Sequence, residues 1–326
     1  MNSRANATGE APYSYTLRDT RDADEHAACL TNWTQRYDQL SAGSFAGEFE
    51  EFCFGKVQLF REKLNQTVHQ SGTAWPGSRT FAVPIVIEGT GWYNGQPYDS
   101  SSVLTLGGGD ELDFRTPRRL EILACTAEAD ALNVHAQQVD HRNLEGELAG
   151  LKLTPVTPPR LEALGALLTT MMASLRAAPA LLQHAYTRKA MEQAMFSALL
   201  DAVRTQEPSA RPSCRTRQYV VSRAREYMQA HIDEPITVSD LCIELGVSRR
   251  TLQYSFQDVL DLNPVKFLRT LRLNAARRAL KRAAASGRGT VTDVAGEWGF
   301  WHLSHFSADY KAMFGELPSE TLRRSA

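Results

Sequence analysis

The sequence has no run of 18 or more apolar residues, and Met1 to Pro12 lack the basic-then-apolar order of an export signal. A spanning helix and a secreted chain are therefore excluded as readings, and the expected location is the cytoplasm with no membrane partner. Cysteine is scarce and odd in number: Cys29, Cys53, Cys125, Cys214 and Cys242 are widely scattered, with no C-x-x-C pair. That spacing excludes a disulfide framework or a zinc knuckle and makes reduced, mostly core cysteines the expectation. Closely spaced histidine ligands are also missing from the N-terminal half, where His26, His69, His135 and His141 stand apart. No cysteine there has neighbours that would activate a nucleophile. No catalytic site, metal or cofactor is expected, so the chain reads as a non-enzyme.

What is present divides the 326 residues into two unlike parts. A single core usually stops growing at about 250 residues, so two domains are expected. The net charge of -1 hides an asymmetry: residues 215–326 hold 17 Lys/Arg against 12 Asp/Glu, or +5, leaving -6 on residues 1–214. Only the C-terminal part is thus suited to a polyanion. Residues 45–125 read as β, with alternation at Val57 and Leu59, the apolar run Thr80 to Ile87, and turn signals at Asn94-Gly95 and Gly107-Gly108-Gly109. A cupin-like barrel or a sandwich fits that spacing, with one helix before it over about 24–40.

Over about 159–205 the period becomes helical. Leu161, Leu164, Leu168, Met171 and Leu175 form one stripe, and Leu182, Ala185, Met191, Met195 and Leu199 a second. Core packing and a homodimer seam both account for such stripes. Residues 207–217 are proline- and serine-bearing without apolar period and read as a linker. The expected organisation is therefore α+β: a β-rich sensor domain with flanking helices over 1–206, then an all-α domain over 218–326. In the sensor, Trp75, Phe81, Trp92 and Tyr93 are candidates to line an effector pocket, with Arg79 and Glu88 as polar anchors.

The second domain contains an internal repeat. Thr237-Val-Ser-Asp-Leu-Cys-Ile-Glu-Leu-Gly-Val247 aligns without gaps onto Thr290-Val-Thr-Asp-Val-Ala-Gly-Glu-Trp-Gly-Phe300. Each copy opens with a capping signature, Thr237 with Asp240 and Thr290 with Asp293, and each has a glycine, Gly246 or Gly299, where the helix must turn. A second helix follows each turn. Leu252, Phe256 and Val259 form the apolar stripe of the first, and Phe306, Tyr310 and Phe314 that of the second. Helix, glycine turn and polar-faced helix is the helix-turn-helix arrangement, here present twice and joined by the strongly helical stretch Pro264 to Lys281. Readers about 34 Å apart can enter successive major grooves on one face of double-stranded DNA. Arg250 and Gln253 suit guanine and adenine edges, whereas Arg249 and Lys311 suit phosphates. His302 and His305 with Asp309 lack a fourth metal ligand and fit the outer face of a reader better. Of the aromatic group Trp298, Phe300, Trp301 and Phe306, only Trp301 is not assigned to the core.

At this point the residues resemble the AraC/XylS family of transcription regulators. The likeness is carried by Leu241-x4-Gly246-Val-Ser248, Leu252-x3-Phe256, Arg272-Leu273-x2-Ala276, Ala295-x3-Gly299-Phe300 and Phe306-x4-Lys311-x2-Phe314-Gly315-x2-Pro318. It covers about 110 residues. The resemblance implies that Arg250, Gln253 and Tyr254 occupy the base-contacting face of the first reader, and Ser304, His305, Ser307 and Ala308 that of the second. It also implies promoter DNA and RNA polymerase as partners and a small-molecule effector that turns the regulator into an activator. Within the family, Leu241 to Gln253, Tyr37-Asp-Gln-Leu-x2-Gly43-x-Phe45-x-Gly47 and Trp75-Pro76-x-Ser78 are most similar to regulators of ethanolamine-utilisation operons.

Overall fold

The computed structural model describes residues 12–148, 150–204, 214–231 and 234–323. Its N-terminal part is a β-sandwich. One sheet has seven strands in the order β1 (Tyr13–Thr20), β3 (Gly47–Phe54), β4 (Val57–Leu64), β11 (Arg119–Glu128), β6 (Ser78–Glu88), β9 (Ser102–Gly107) and β12 (Leu153–Pro155). The other has five, in the order β2 (Thr34–Gln39), β5 (Val68–Thr73), β10 (Glu111–Arg115), β7 (Gly91–Tyr93) and β8 (Gln96–Tyr98). All pairings are antiparallel.

Successive residues of a strand point to opposite faces, and the seven-stranded sheet uses both. Phe60, Leu64, Ala82, Ile122 and Ala124 face the five-stranded sheet and join its Tyr37, Val68 and Phe114 in one core. Their neighbours Leu59, Phe81, Val83, Leu123 and Cys125 face the other way and pack under three helices. These are α2 (Ala129–Asp140), α4 (Pro158–Ala177) and α5 (Ala185–Ala202). A sheet covered on both faces has few polar outward positions, which is why the central strands read as apolar runs rather than as clean alternation.

The α+β plan is the one the sequence implies, but three elements differ from expectation. The helix expected over 24–40 is only α1 (Ala23–Ala27); Asn32 then turns through a left-handed conformation (φ 64°) and Thr34–Gln39 pairs with β5 as a strand. Helices α2 and α3 (Leu144–Leu148) were hidden in a segment with short apolar spacing. The stripes over 159–205 are mostly internal: Leu164, Leu168, Met171, Leu175, Leu182, Met191, Met195 and Leu199 are buried within the chain, while Leu161 is half-buried and Ala185 exposed, so core packing accounts for eight of the ten. Most of the expected linker lies outside the described residues, and its last four residues already belong to α6 (Cys214–Ala230). Among the described cysteines, Cys125 and Cys242 are buried, Cys29 and Cys53 half-buried, and all four are free.

Two small helical bundles make up the C-terminal part. The first packs α6, α7 (Val238–Leu245) and α8 (Arg249–Leu260) around Leu241, Leu252 and Phe256. The second packs α10 (Val291–Glu297), α11 (Leu303–Phe314) and α12 (Pro318–Arg323) around Trp298, Phe300, Phe306 and Tyr310. The 23-residue α9 (Pro264–Ser286) joins them and gives Leu268 to the first core and Leu273, Ala276 and Leu280 to the second. Val259 is exposed, because the stripe of α8 closes on Leu260 instead.

Candidate nucleic-acid interface and sensor cavity

The first helices of the two repeats, α7 and α10, start alike because their caps are alike. Thr237 accepts a hydrogen bond from the Asp240 amide at 3.2 Å, and the Asp240 carboxylate accepts one from the Thr237 amide at 2.8 Å. Thr290 and Asp293 repeat this at 3.1 and 2.9 Å. Such reciprocal capping satisfies amides that the helix start leaves bare. Gly246 (φ 60°) and Gly299 (φ 72°) then take the left-handed conformation that lets α7 and α10 turn into α8 and α11.

On α8, Gln253 is exposed and Arg250 and Tyr254 are half-buried. Arg250 donates through Nη2 to the Tyr254 hydroxyl, and its guanidinium lies 4.9 Å from the Tyr254 ring centroid. The pair holds Arg250 in one shape on the reader face. On α11, Ser304, His305 and Lys311 are exposed and Ser307 is half-buried. His302 caps this helix, its Nδ1 accepting from the His305 amide at 3.3 Å, and the two rings stack with centroids 3.7 Å apart. Burial and the neighbouring His305 hold the His302 imidazole below its usual range, which favours the neutral acceptor that a cap needs. Asp309 is paired with Arg269 of α9 rather than with the histidines. Trp301 packs against the helix-side core of the sensor.

Arg249, at the first position of α8, reaches across to the sensor helices. It forms an ion pair with Asp201 at the end of α5, and its Nε lies 3.9 Å from Asp140 at the end of α2. Sequence reasoning placed Arg249 at DNA but had no signal for these partners, which lie 48 and more residues away.

In the sensor, the two sheets enclose a cavity of about 50 Å³. Its apolar wall includes Trp33, Phe60, Tyr93 and Phe114, and its polar side Gln35, Glu62 and Gln70. Glu62 is fully enclosed and accepts from the Tyr37 hydroxyl at 2.7 Å and from Gln70 Nε2 at 3.1 Å, with His26 Nε2 at 3.2 Å. Burial pushes the Glu62 carboxyl up, but His26, Tyr37 and Gln70 together outweigh it and hold the group below the usual carboxylate range. The cavity floor is therefore an ionised carboxylate.

Of the residues expected to line an effector pocket, the structure brings only Tyr93 to this cavity, where its hydroxyl donates to the Thr105 carbonyl at 2.7 Å. Phe81 is buried on the opposite face of the sheet, under the helices. Trp92 is exposed, and Glu88 is exposed and paired with Arg119 at 2.8 Å. Trp75 is half-buried and donates to Gln58 at 3.2 Å, while Arg79 is half-buried outside the cavity wall. Aromatic clustering in sequence does not say which face of a strand a ring takes. The lining residues that were missed, Gln35, Tyr37, Glu62 and Gln70, are spaced by two within β2 and on β4 and β5. Their only signal was polar residues at inward positions.

A helix-turn-helix domain model matches residues 241–324. The probable thc operon regulatory protein of Rhodococcus erythropolis is 31% identical over 247 residues, covering 68% of this chain and 72% of that protein. The XylDLEGF operon transcriptional activator of Pseudomonas putida is 30% identical over 102 residues, covering 31% of this chain and 32% of the activator. Among solved structures, the AraC-like transcriptional activator CuxR aligns over 88% of this chain and 100% of its own, with 14% identity and a TM-score of 0.45. With the doubled helix-turn-helix and a β-rich N-terminal domain in place, this chain belongs to the AraC/XylS family of DNA-binding transcription regulators.

Proposed function

We propose that the chain is an effector-responsive transcription activator whose sensor cavity controls how the two readers are presented to promoter DNA. In this reading Arg250 and Gln253 of α8 and Ser304, His305 and Ser307 of α11 read bases, Tyr254 orients Arg250, and Lys311 holds a phosphate. The chain acts in the cytoplasm, contacts RNA polymerase at the promoter and performs no catalysis. A homodimer, where one forms, uses a surface other than the buried stripes of α4 and α5.

The observation that carries this reading is the double use of the seven-stranded sheet. Thr80, Ala82, Ile122 and Ala124 line the cavity, and the alternate residues Phe81, Val83, Leu123 and Cys125 support the helices. Helix α5 is tied to the sheet through Glu192, which accepts from the Lys56 amide at 2.9 Å, and to α7 through Lys189, which pairs with Asp240 at 2.9 Å. A ligand that spreads the sheets therefore moves a helix that touches the DNA-binding part. As it stands, the cavity admits only a compact molecule of a few heavy atoms, since one water needs roughly 10–15 Å³ by this measure.

The test is footprinting of the purified chain on its own upstream DNA at two salt concentrations, with ethanolamine and simple aromatic acids added singly. Protection over successive major grooves that weakens with salt supports the two readers, and a change with one compound identifies the effector class. Salt-independent binding would contradict the contact scheme, and a footprint indifferent to every small molecule would leave the sensor reading without support.

A further inference from the structure

The N-terminal ends of both readers open on one cleft beneath the sensor. Two adjoining hollows of about 470 and 500 Å³ run between α4 and α5 on one side and the DNA-binding part on the other, sharing Ala198, Asp201, Val238, Arg249 and Val265. Arg250 and Gln253 of the first reader line one, and His302 and His305 of the second line the other. A recognition helix enters the major groove with its N-terminal residues foremost, and the groove is about 12 Å wide between phosphate walls. Helix α5 lines the cleft opposite those ends through Ala198 and Asp201, so a duplex that takes Arg249 must displace Asp201.

The polar contacts that hold this arrangement are few. Besides the ion pair of Arg249 with Asp201, Thr187 donates to the Gly296 carbonyl at 2.8 Å and Lys189 pairs with Asp240. Val139 of α2 is the sensor's contribution to the core of the first repeat. Asp140 is the least exposed of the charged members: its side chain is 2% accessible and stands 3.6 Å from Arg204 and 3.9 Å from Arg249. Two carboxylates thus face a guanidinium at the start of a reader helix, the position and charge that a pair of DNA phosphates would present.

We propose that Asp140 and Asp201 form a latch that occupies Arg249 in place of DNA phosphates, so that the closed chain is barred from its site until α2 and α5 separate from the readers. The proposal rests on Arg249 being a phosphate contact. Release costs little charge imbalance, because Arg204 stays beside Asp140 and Asp201 on the sensor side when Arg249 leaves. DNA then competes with the latch for the same guanidinium, and anything that shifts α5 on the sheet tips that competition.

The experiment compares four full-length proteins: the wild type, Asp140→Asn combined with Asp201→Asn, Thr187→Val, and a control with Glu111→Gln and Asp130→Asn at exposed positions outside the cleft. Each is measured for affinity to its upstream DNA and to a scrambled duplex, and for radius of gyration without DNA. The latch predicts at least three-fold tighter binding and a larger radius for the double Asn variant, a smaller change in the same direction for Thr187→Val, and neither change beyond nonspecific charge for the control. Equal affinity and radius in the wild type and the first two variants would overturn it, as would a gain shared equally by the control. If the radius grows but no form binds any duplex, the reading of Arg249 and the readers as a DNA surface fails instead.

Discussion

Gly296 of the second repeat lies directly against the ring of His184 in the sensor: a Cβ at that glycine would stand 2.3 Å from His184 Cδ2 and 2.8 Å from Nε2. The glycine is helical, a placement that ordinarily weakens a helix by about 1 kcal/mol relative to alanine. Gly296→Ala should therefore strengthen α10 on its own while pushing His184 and the Thr187 hydrogen bond out of register. The expected outcome is tighter DNA binding without effector, with the melting temperature changed by only a few degrees. Unchanged DNA affinity would show that this contact does not restrain the readers.

Base reading and phosphate holding separate cleanly in a binding assay. Arg250→Ala should cost about 1–3 kcal/mol on the natural site and relax discrimination at one base pair, as expected for the loss of a bidentate contact. Lys311→Ala should weaken binding about equally on all sequences and reduce the slope of log affinity against log salt by about 1. A uniform loss for Arg250→Ala across natural and scrambled duplexes would end the base-reading role.

How much of this was legible differs between the two halves for a physical reason. Capping, glycine turns and helical stripes are local, so Thr237 with Asp240, Thr290 with Asp293 and the paired glycines could be placed on the helices where they are found. The face taken by Phe81 or Trp92 depends on strand register across a sheet, which short-range pattern does not fix. The docking of the halves was invisible in each half alone, yet one trace was present. Where the two repeats align, Ile243 is exposed and its counterpart Gly296 is buried against the sensor. The repeat breaks its pattern at the position where a side chain would collide with His184.

The two caps should differ in what they support. Thr290 is exposed and serves only its helix, so Thr290→Ala should cost about 1 kcal/mol, within the usual 0.5–2 for a lost cap. Thr237 is buried and also lines the cleft under α5, so Thr237→Ala should cost at least as much and disturb the approach of Lys189 to Asp240. Urea unfolding of the full chain checks the first quantity, and Thr290→Ser should restore most of it. Equal behaviour of the two Ala variants in DNA affinity would argue that the cap at Thr237 has no part in interdomain docking.

Acid should loosen the same region through His135. This ring is buried between α2 and α5, with Nε2 3.2 Å from the Ser197 hydroxyl and its edge against Phe196. Burial first, and the charge of Arg249 second, lower its pKa from 6.5 to about 4. Between those values the unfolded chain takes up a proton that the folded chain refuses, so stability is full above about pH 6.5 and falls as the pH drops toward 4. At about 1.4 kcal/mol per unit, the loss attributable to this one group approaches about 3 kcal/mol. His135→Gln should flatten the urea midpoint between pH 7 and pH 5 relative to the wild type. Arg249→Ala should shrink the wild-type dependence in part, because it removes the second cause and leaves the first. Parallel pH profiles for wild type and His135→Gln would mean that the proton is taken up elsewhere, and that the α2–α5 contact is not the acid-sensitive joint.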